Sequence, residues 1–597
     1  MTGADALVDP ARPRGLRTHY CGTLAAADAG QQVAVCGWVA RRREHGEHLA
    51  FVDLRDHTGL VQCVVEGAHD LRSEHVVRVV GTLRLRPEGT ANPAISTGEV
   101  EIGAEHVEVL STAAPPPFSI DARAETDEAL RLTYRYLDLR SERMQANLRL
   151  RASVNAAIRS SMIRQGFVEV ETPLLWTPTP EGAREFAVPS RLQPGRFYVL
   201  PQSPQIAKQL LMVGGTDRYF QIARCMRDED LRADRQFEFT QLDLEASFVG
   251  QQDVRDFVTD AVLEATQAAS EVEPPPVVSL SHKEAFERFG TDKPDLRFEM
   301  EIADLSGALA GTELRAFKAP AVGAVVASGQ GDLGRGRLDA LVDRARALGA
   351  EGLVWLRVVT GDDGSGATLD SPVSKHLSPS EKQAILTATK AAPGDLILVV
   401  AGSRAVAFKV LGQLRLDIGQ PPVSQLPHRY VWVTDFPLFE GTGEDGRPVA
   451  AHHPFTMPHP DDLDRLESDP LSVRSQSYDL VLNGWELGSG SIRIHRADVQ
   501  RRVFSTLGLS EAQIEARFGF LLGAFRYGAP PHGGFAFGVD RLVALLAGEE
   551  NIREVIAFPK TQSGTDLMAG SPSELAEAQL AELGIALAPK LEKGAKS

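Results

Sequence analysis

The sequence predicts a multidomain α+β protein whose N-terminal part is a small β-barrel. Three observations predict it. The chain has 597 residues, too many for one hydrophobic core. About five short β-like runs crowd into residues 15–112. Further along, helical and strand patterns alternate, and two strand-like runs in residues 220–245 enclose a dense loop of charge.

The composition narrows the class. A hydrophobic content of 43% and a charged content of 24% fit a globular chain rather than a disordered or fibrous one. The four cysteines, Cys21, Cys36, Cys63 and Cys225, lack the close spacing of a zinc knuckle or redox pair, so reduced thiols are expected. No basic-then-apolar leader opens the sequence, and no stretch is apolar enough to span a bilayer. A cytoplasmic protein with no membrane partner is expected. The net charge of −17 argues against a protein coated in nucleic acid, and no DNA partner is expected. Two local basic clusters remain: Arg41 to Arg43, and Arg149, Arg151, Arg159 and Arg164. Such clusters are more often solvated faces than binding sites.

The barrel runs are Val33–Val39, Leu49–Leu54, Leu60–Val65 and Val76–Val80, followed by the pair Glu99–Ile102 and His106–Leu110. Their number and spacing suggest a barrel of the oligonucleotide-binding kind, with a ligand-free sandwich as the alternative. Pro115 to Pro117 then mark a stiff boundary. A helical pattern runs through Ile163 to Gly166, and Phe167–Pro173 reads as a strand stopped by proline. Residues 286–425 are richer in Ala, Gly and Val. Leu338–Leu348 reads there as helix, and Leu396–Val400 and Ala405–Val410 as strands. No charged constellation stands out in that region, so it reads as an insertion without legible chemistry. The tail from Ser571 reads as a surface helix with a frayed end. The expected division is 1–112 barrel, 113–140 linker, 141–285 first part of the main domain, 286–425 insertion, 426–570 second part of the main domain and 571–597 extension.

Three distant segments carry the chemistry. The first is the helix–strand unit ending at Pro173. The second is the loop from Arg227 to Gln241 between two strand patterns. Its Arg227 can clamp a phosphate oxygen with a planar fork, although a charged hairpin loop taken alone is usually a solvated turn. The third is Gly533–Leu546, a strand that enters a helix through Gly538, with Arg541 in the first turn. A helix N-terminus favours anions, and glycine lets backbone approach a nucleotide closely.

These motifs, with Pro201–Gln205 and the run Arg227–Gln236, closely resemble the class II aminoacyl-tRNA synthetases, and within them the bacterial aspartyl-tRNA synthetases. The resemblance covers nearly the whole chain. Gly166–Pro173 is similar to the family's first motif, Arg227–Gln241 to its second and Gly538–Arg541 to its third. The resemblance implies an antiparallel catalytic sheet flanked by helices, an anticodon-binding barrel, a bacterial inserted domain and a homodimer through residues 160–175. It also implies ATP as substrate, Mg²⁺ as cofactor and tRNA as partner.

The implied site follows residue by residue. Arg227, Glu229 and Arg541 would be catalytic. ATP would meet Arg227, Asp228, Glu229, Gln236, Glu486, Gly538, Val539, Asp540 and Arg541. Asp479 and Glu486, at a spacing that could set both along one strand, would hold Mg²⁺. Glu181, in a mobile loop, would meet aspartate with Ser203, Gln205, Ile206, Ala207, Lys208, Arg227, Asp243, His452, His453 and Arg493. Arg493 resembles the family's two-pronged partner for the side-chain carboxylate. In the barrel, Phe51 resembles the aromatic that stacks an anticodon base, with Arg43 and Gln62 as hydrogen-bonding neighbours.

Two alternatives fit less well. A synthetase for asparagine or lysine would not need Arg493 with Lys208. A non-catalytic RNA-binding relative should have lost Arg227, Glu229, Glu486 or Arg541. The family has a form that charges tRNA(Asp) alone and a form that also charges tRNA(Asn). His45, where the strict form tends to carry Leu, and Gly89, where it tends to carry Lys, resemble the relaxed form. Gly89 as a plain turn residue and His45 as a surface residue stay open.

Overall fold

The computed structural model describes residues 13–588 apart from 46, 47, 68, 69, 122–124, 179–183, 271, 362–365, 420, 421, 423–425 and 445. Glu181 lies outside the described residues.

Five strands close the barrel: β1 (Gln32–His45), β2 (Leu49–Asp56), β3 (Gly59–Glu66), β4 (Val76–Leu85) and β5 (Val100–Ser111), in the order β1-β2-β3-β5-β4. Period-two alternation sends Val33, Val35, Val52, Leu54, Val61, Cys63, Val77 and Val79 inward to one core. The two C-terminal runs expected to be separate strands are one strand, β5. A register shift in its pairing with β4 between Val80 and Gly81 absorbs the break in alternation between them.

Helix α1 (Glu142–Arg164) follows the linker. Ser141 caps it, accepting from Met144 N, and Glu142 and Arg164 lie at the ends that the helix dipole favours. Its buried Met144, Val154, Ile158 and Met162 recur at helical spacing. The expected strand Phe167–Pro173 shrinks to β6 (Val168–Glu169), a parallel edge strand beside β7. The exposed run is short, and Pro173 at its end has no N–H to give.

The catalytic region continues with α2 (Gln205–Val213), β7 (Arg218–Met226), β8 (Glu238–Ser247), α3 (Gln251–Ala269), β9 (Val278–Ser281) and α4 (His282–Phe289). The inserted region has its own sheet: β10 (Ala303–Asp304), β11 (Ala321–Ala327), β12 (Val354–Thr360), β13 (Ala367–Asp370) and β14 (Leu396–Gly402), in the order β10-β11-β14-β12-β13. Helices α5 (Arg335–Ala347), α6 (Pro379–Thr389) and α7 (Arg404–Ile418) pack on it. The expected strand Ala405–Val410 is instead the start of α7. Ser403 caps that helix, and Ala407, Phe408, Val410, Leu411, Leu414 and Ile418 are buried at three- and four-residue spacing. A six-residue apolar run cannot show its period; the next eight residues do.

The chain then completes the large sheet with β15 (Tyr430–Thr434), β16 (Ser477–Leu482), β17 (Trp485–Ile492) and β18 (His532–Gly538), and enters α8 (Val539–Ala547). The sheet has eight strands in the order β9-β15-β16-β17-β18-β8-β7-β6, antiparallel except for its two outermost pairs. One face packs against α1, α3 and α8 through Phe220, Leu242, Leu244, Phe535 and Phe537. Fully burying one such side chain contributes about 1.5–3 kcal/mol. The other face of the sheet carries the site.

Candidate active site

Alternation places the site. Leu242 and Leu244 face the core, so Gln241, Asp243 and Glu245 face the opposite side of β8. There the second and third motif segments, α2, β17 and the loop of His452 and His453 enclose a cavity of about 550 Å³. Arg227, Glu229, Gln236, Asp540, Arg541, Ser203, Gln205, Lys208, Asp243, His452, His453, Glu486, Gly538 and Arg493 all line it. These are most of the expected residues, drawn from positions more than 300 residues apart.

One end of the cavity is a buried ion network. Lys208 Nζ lies 2.9 Å from Asp243 and 3.3 Å from Glu245. Arg493 donates from Nε and Nη2 to Glu245, at 3.0 and 3.3 Å. Each of these four side chains is at most 3% exposed. Arg493 Nη1 also donates to Ser491 Oγ at 2.8 Å and lies 2.5 Å from His453 Nε2. Arginine only donates, so this His453 nitrogen is an acceptor and the ring is neutral. Burial and the Arg493 charge agree, holding His453 well below the usual histidine range. Burial holds His452 down at about 4. Burial raises the Asp243 carboxyl despite Lys208. Burial would raise Glu245 too, but Arg493 and Lys208 keep it below its ordinary value.

Arg493 was expected to present a two-pronged edge to a ligand carboxylate; here Glu245 accepts from its Nε–Nη2 edge, while the side chain stays in the cavity wall. Sequence reading missed Glu245, although it lies two residues beyond Asp243 and so on the same face of β8. Gly534 confirms how tightly Glu245 is seated: a Cβ there would lie 1.8 Å from the Glu245 carboxylate.

The other end suits a polyphosphate. The Arg227 guanidinium lies over the Phe239 ring, 5.1 Å from its centroid. Arg541 donates to the Glu486 carbonyl at 2.8 Å and lies 3.3 Å from the Asp234 carboxylate. Glu229 pairs with Arg235 at 3.1 Å. Gln236 lines the wall, but its amide is engaged with the backbone of Lys560 on both sides.

Several expected contacts do not reach this cavity. Ile206 points into an apolar cluster with Phe455 and Phe504, and Ala207 lines a separate small cavity beside Thr172. Successive residues of a helix leave it about 100° apart, so α2 can offer only Gln205 and Lys208 to the cavity. Val539 is in the sheet core. Asp228 is not in the wall; its N–H donates to the Arg184 carbonyl at 3.0 Å. Asp540 lines the wall, but both of its carboxylate oxygens accept from protein donors, Arg151 and Thr240 N.

Asp479 and Glu486 lie on adjacent strands, not along one strand. The β16–β17 hairpin sets Asp479 opposite Ser489 and Glu486 opposite Val481. A second cavity, of about 690 Å³, has both carboxylates in its wall and shares Glu486, Ser489 and His452 with the first. Asp479 Oδ1 is buried with no hydrogen-bond partner among the described residues. Burial and the neighbouring Glu486 push the Asp479 carboxyl well above its ordinary range. A hard cation would relieve both, so the pair fits Mg²⁺, which takes one or two protein carboxylates and completes its shell with water and phosphate. No group of three or more candidate metal ligands occurs among the described residues.

On the barrel, Arg43 and Phe51 are cross-strand partners, and His45 packs edge-on against Phe51 with centroids 5.5 Å apart. Arg43 donates to Asp53 at 2.9 Å and to Gln62 at 3.2 Å; Gln62 donates to Glu101, which also pairs with Arg84. The expected residues thus share one face, and Asp53, Glu101 and Arg84 join them there. Gly89 is exposed in the β4–β5 loop with φ +80°, a value that itself favours glycine.

A closed five-stranded barrel joined to an eight-stranded antiparallel sheet, with a phosphate-suited helix start beside a charged hairpin, defines a class II tRNA synthetase. Comparison with known families agrees. The family described as "tRNA synthetases class II (D, K and N)" matches residues 127–562, and the chain belongs to it. An "OB-fold nucleic acid binding domain" matches residues 33–110. A relative from Acidothermus cellulolyticus, named aspartate–tRNA(Asp/Asn) ligase, is 51% identical over 97% of this chain and 98% of its own. One of the same name from Saccharopolyspora erythraea is 49% identical, covering 98% of each. Asparaginyl-tRNA synthetase from Pyrococcus horikoshii shares the fold, with a TM-score of 0.55 at 21% identity over 91% of this chain and 98% of that one.

Proposed function

We infer that the chain is an aspartate–tRNA ligase that charges both tRNA(Asp) and tRNA(Asn). The observation that carries this reading is the buried Arg493–Glu245–Lys208–Asp243 network beside a phosphate-suited wall, in a chain about half identical to enzymes of that name. Arg493 and Lys208 line that end of the cavity, and burial raises the Asp243 carboxyl beside them, so a ligand carboxylate takes up their charge better than a neutral amide would.

The α-carboxylate of aspartate attacks the α-phosphorus of ATP. The bond to the β-phosphate oxygen breaks, and aspartyl-adenylate and pyrophosphate result. Arg227 stabilises charge on the α-phosphate, and Arg541 does so toward the γ-phosphate. Glu229 orients the adenine end. Asp479 and Glu486 would hold Mg²⁺, whose charge, when bound, offsets that of the phosphates. The 3′-terminal ribose hydroxyl of tRNA then attacks the aspartyl carbonyl carbon, and AMP leaves. The adenylate phosphate takes the hydroxyl proton, so no separate base is required. Phe51 stacks an anticodon base while Arg43 and Gln62 bond to its neighbours.

Two further readings belong here. The chain forms a homodimer around residues 160–175, where Ile163, Val168 and Leu175 are exposed next to the unpaired edge of β6. It works in the cytoplasm, where tRNA is charged; no helix among the described residues is long and apolar enough to cross a membrane.

Pyrophosphate exchange that requires L-aspartate, followed by charging of both purified tRNAs, tests the reading. Exchange supported by asparagine or lysine instead would overturn it.

A further inference from the structure

One carboxylate joins all three motif segments. Asp540, the second residue of α8, accepts the Thr240 N–H of β8 at 2.7 Å on Oδ2. Its Oδ1 accepts from Arg151, which comes from the middle of α1 and also donates to the Val555 carbonyl at 3.3 Å. The Asp540 side chain is 3% exposed and that of Arg151 18%. The next residue on α8 is Arg541, in the wall of the nucleotide end of the cavity.

The two helices run in opposite directions along each other. Arg143 and Asn147 reach Glu549, just beyond the C-terminus of α8, while Arg151 reaches its start. Eight residues of α1 rise about 12 Å, close to the nine residues from Asp540 to Glu549. The far end therefore holds the helices together without Arg151, and Arg151 acts locally on the first turn.

We propose that Arg151 is a positioning residue for ATP: through Asp540 it sets the first turn of α8, and with it the reach of Arg541. This rests on the ligase reading above. With both oxygens taken by protein, Asp540 orients the turn rather than binding nucleotide. Removing Arg151 leaves a buried carboxylate with one partner fewer, and the turn that carries Arg541 relaxes toward another donor. A shift of about 1 Å at a phosphate-binding group costs a large part of its effect. Aspartate is held at the other end of the cavity, beside Lys208 and Arg493, neither of which touches Arg151.

The test is aspartate-dependent pyrophosphate exchange by the full chain, with ATP and aspartate varied separately. In Arg151→Met the ATP KM should rise, or kcat fall, about tenfold or more, while the aspartate KM stays within about threefold. Arg151→Lys should recover most of the loss. Adding Asp540→Asn to Arg151→Met should cost little more, because the two act as one unit. Arg143→Met, at the other end of the same helix pair, should lower the melting temperature and leave the ATP KM alone. The proposal is overturned if the ATP parameters stay within threefold of wild type. It is equally overturned if both KM values rise together, or if Arg143→Met matches Arg151→Met. If Arg151→Met does not fold, Arg151→Gln is judged by the same criteria; if neither folds, Arg151 serves the fold and the proposal falls. A wild-type chain that shows no aspartate-dependent exchange overturns the ligase reading instead, before any variant is compared.

Discussion

Glu245 holds the two-pronged edge of Arg493 at the floor of the cavity, and both side chains are almost wholly buried. Removing one partner from such a pair typically costs about 3–5 kcal/mol, because the other charge stays buried. Glu245→Gln is therefore expected to lower stability by about 3 kcal/mol and to raise the aspartate KM more than the ATP KM. Denaturant unfolding and exchange kinetics check this. Equal changes in the two KM values would count against Glu245 as the anchor of Arg493.

Arg493→Leu is expected to reduce aspartate activation by about a hundredfold or more, close to 3 kcal/mol, while ATP binding persists. Lys208, which lies 3.3 Å from Glu245, remains in that variant to pair with the carboxylate and limit the structural damage. Near-normal activation would remove Arg493 from the aspartate site.

Stability should fall as the pH drops from about 6.5. Burial holds His282, His428, His452, His453 and His532 below the usual histidine value. Near neutral pH they are uncharged both folded and unfolded, and contribute no slope. Below about 6.5 only the unfolded chain gains their protons, and each such group costs up to about 1.4 kcal/mol per pH unit. For His452 that loss continues down to about pH 4. Melting temperatures between pH 6.5 and 5.5 should show the decline, and His452→Gln should flatten it. An unchanged slope in that variant would mean His452 protonates freely in the folded chain.

His45→Leu is expected to shift tRNA choice toward tRNA(Asp) by about tenfold, because a bulky aliphatic group beside Phe51 can exclude one of two anticodon bases. Gly89→Lys should add to the shift, with a strain of about 1–2 kcal/mol from its left-handed backbone. Charging of the two transcripts measures both. A wild-type preference for tRNA(Asp) of about a hundredfold or more would instead place the chain in the strict form.

A charge at the β6 edge should break the homodimer proposed above. Val168→Lys is expected to yield a monomer in sedimentation and to lose activity. An active monomer of the wild-type chain at low concentration would remove the dimer from the functional reading.

Much of the site was legible because strand alternation and local motifs are written along the chain. The run Arg227–Gln236, the Gly538–Arg541 helix start and the strands around Asp243 and Arg493 needed no distant partner to be recognised. Where the signal was short, tertiary context decided. Ala405–Val410 carried too few residues to show a helical period, and only the buried face of α7 reveals it. Phe167–Pro173 alternates well, yet only Val168 and Glu169 pair as strand; Val170 N–H still reaches the Phe220 carbonyl, but Thr172 N–H turns to the Gln221 side chain and Pro173 has no N–H.

The sequence by itself determined the class of fold, the kinds of groups at the site and the order of the strands' faces, since these follow from local pattern and residue chemistry. Only the tertiary structure decided which charges meet. Arg149 and Arg151 read as a solvated basic patch, but one reaches the carbonyl of His57 in the barrel and the other Asp540 across almost 400 positions. Glu245 read as one more strand residue and proved to be the partner of both Lys208 and Arg493. Coulombic pairing depends on distance in space and on exclusion of water, and neither is a property of neighbours along the chain.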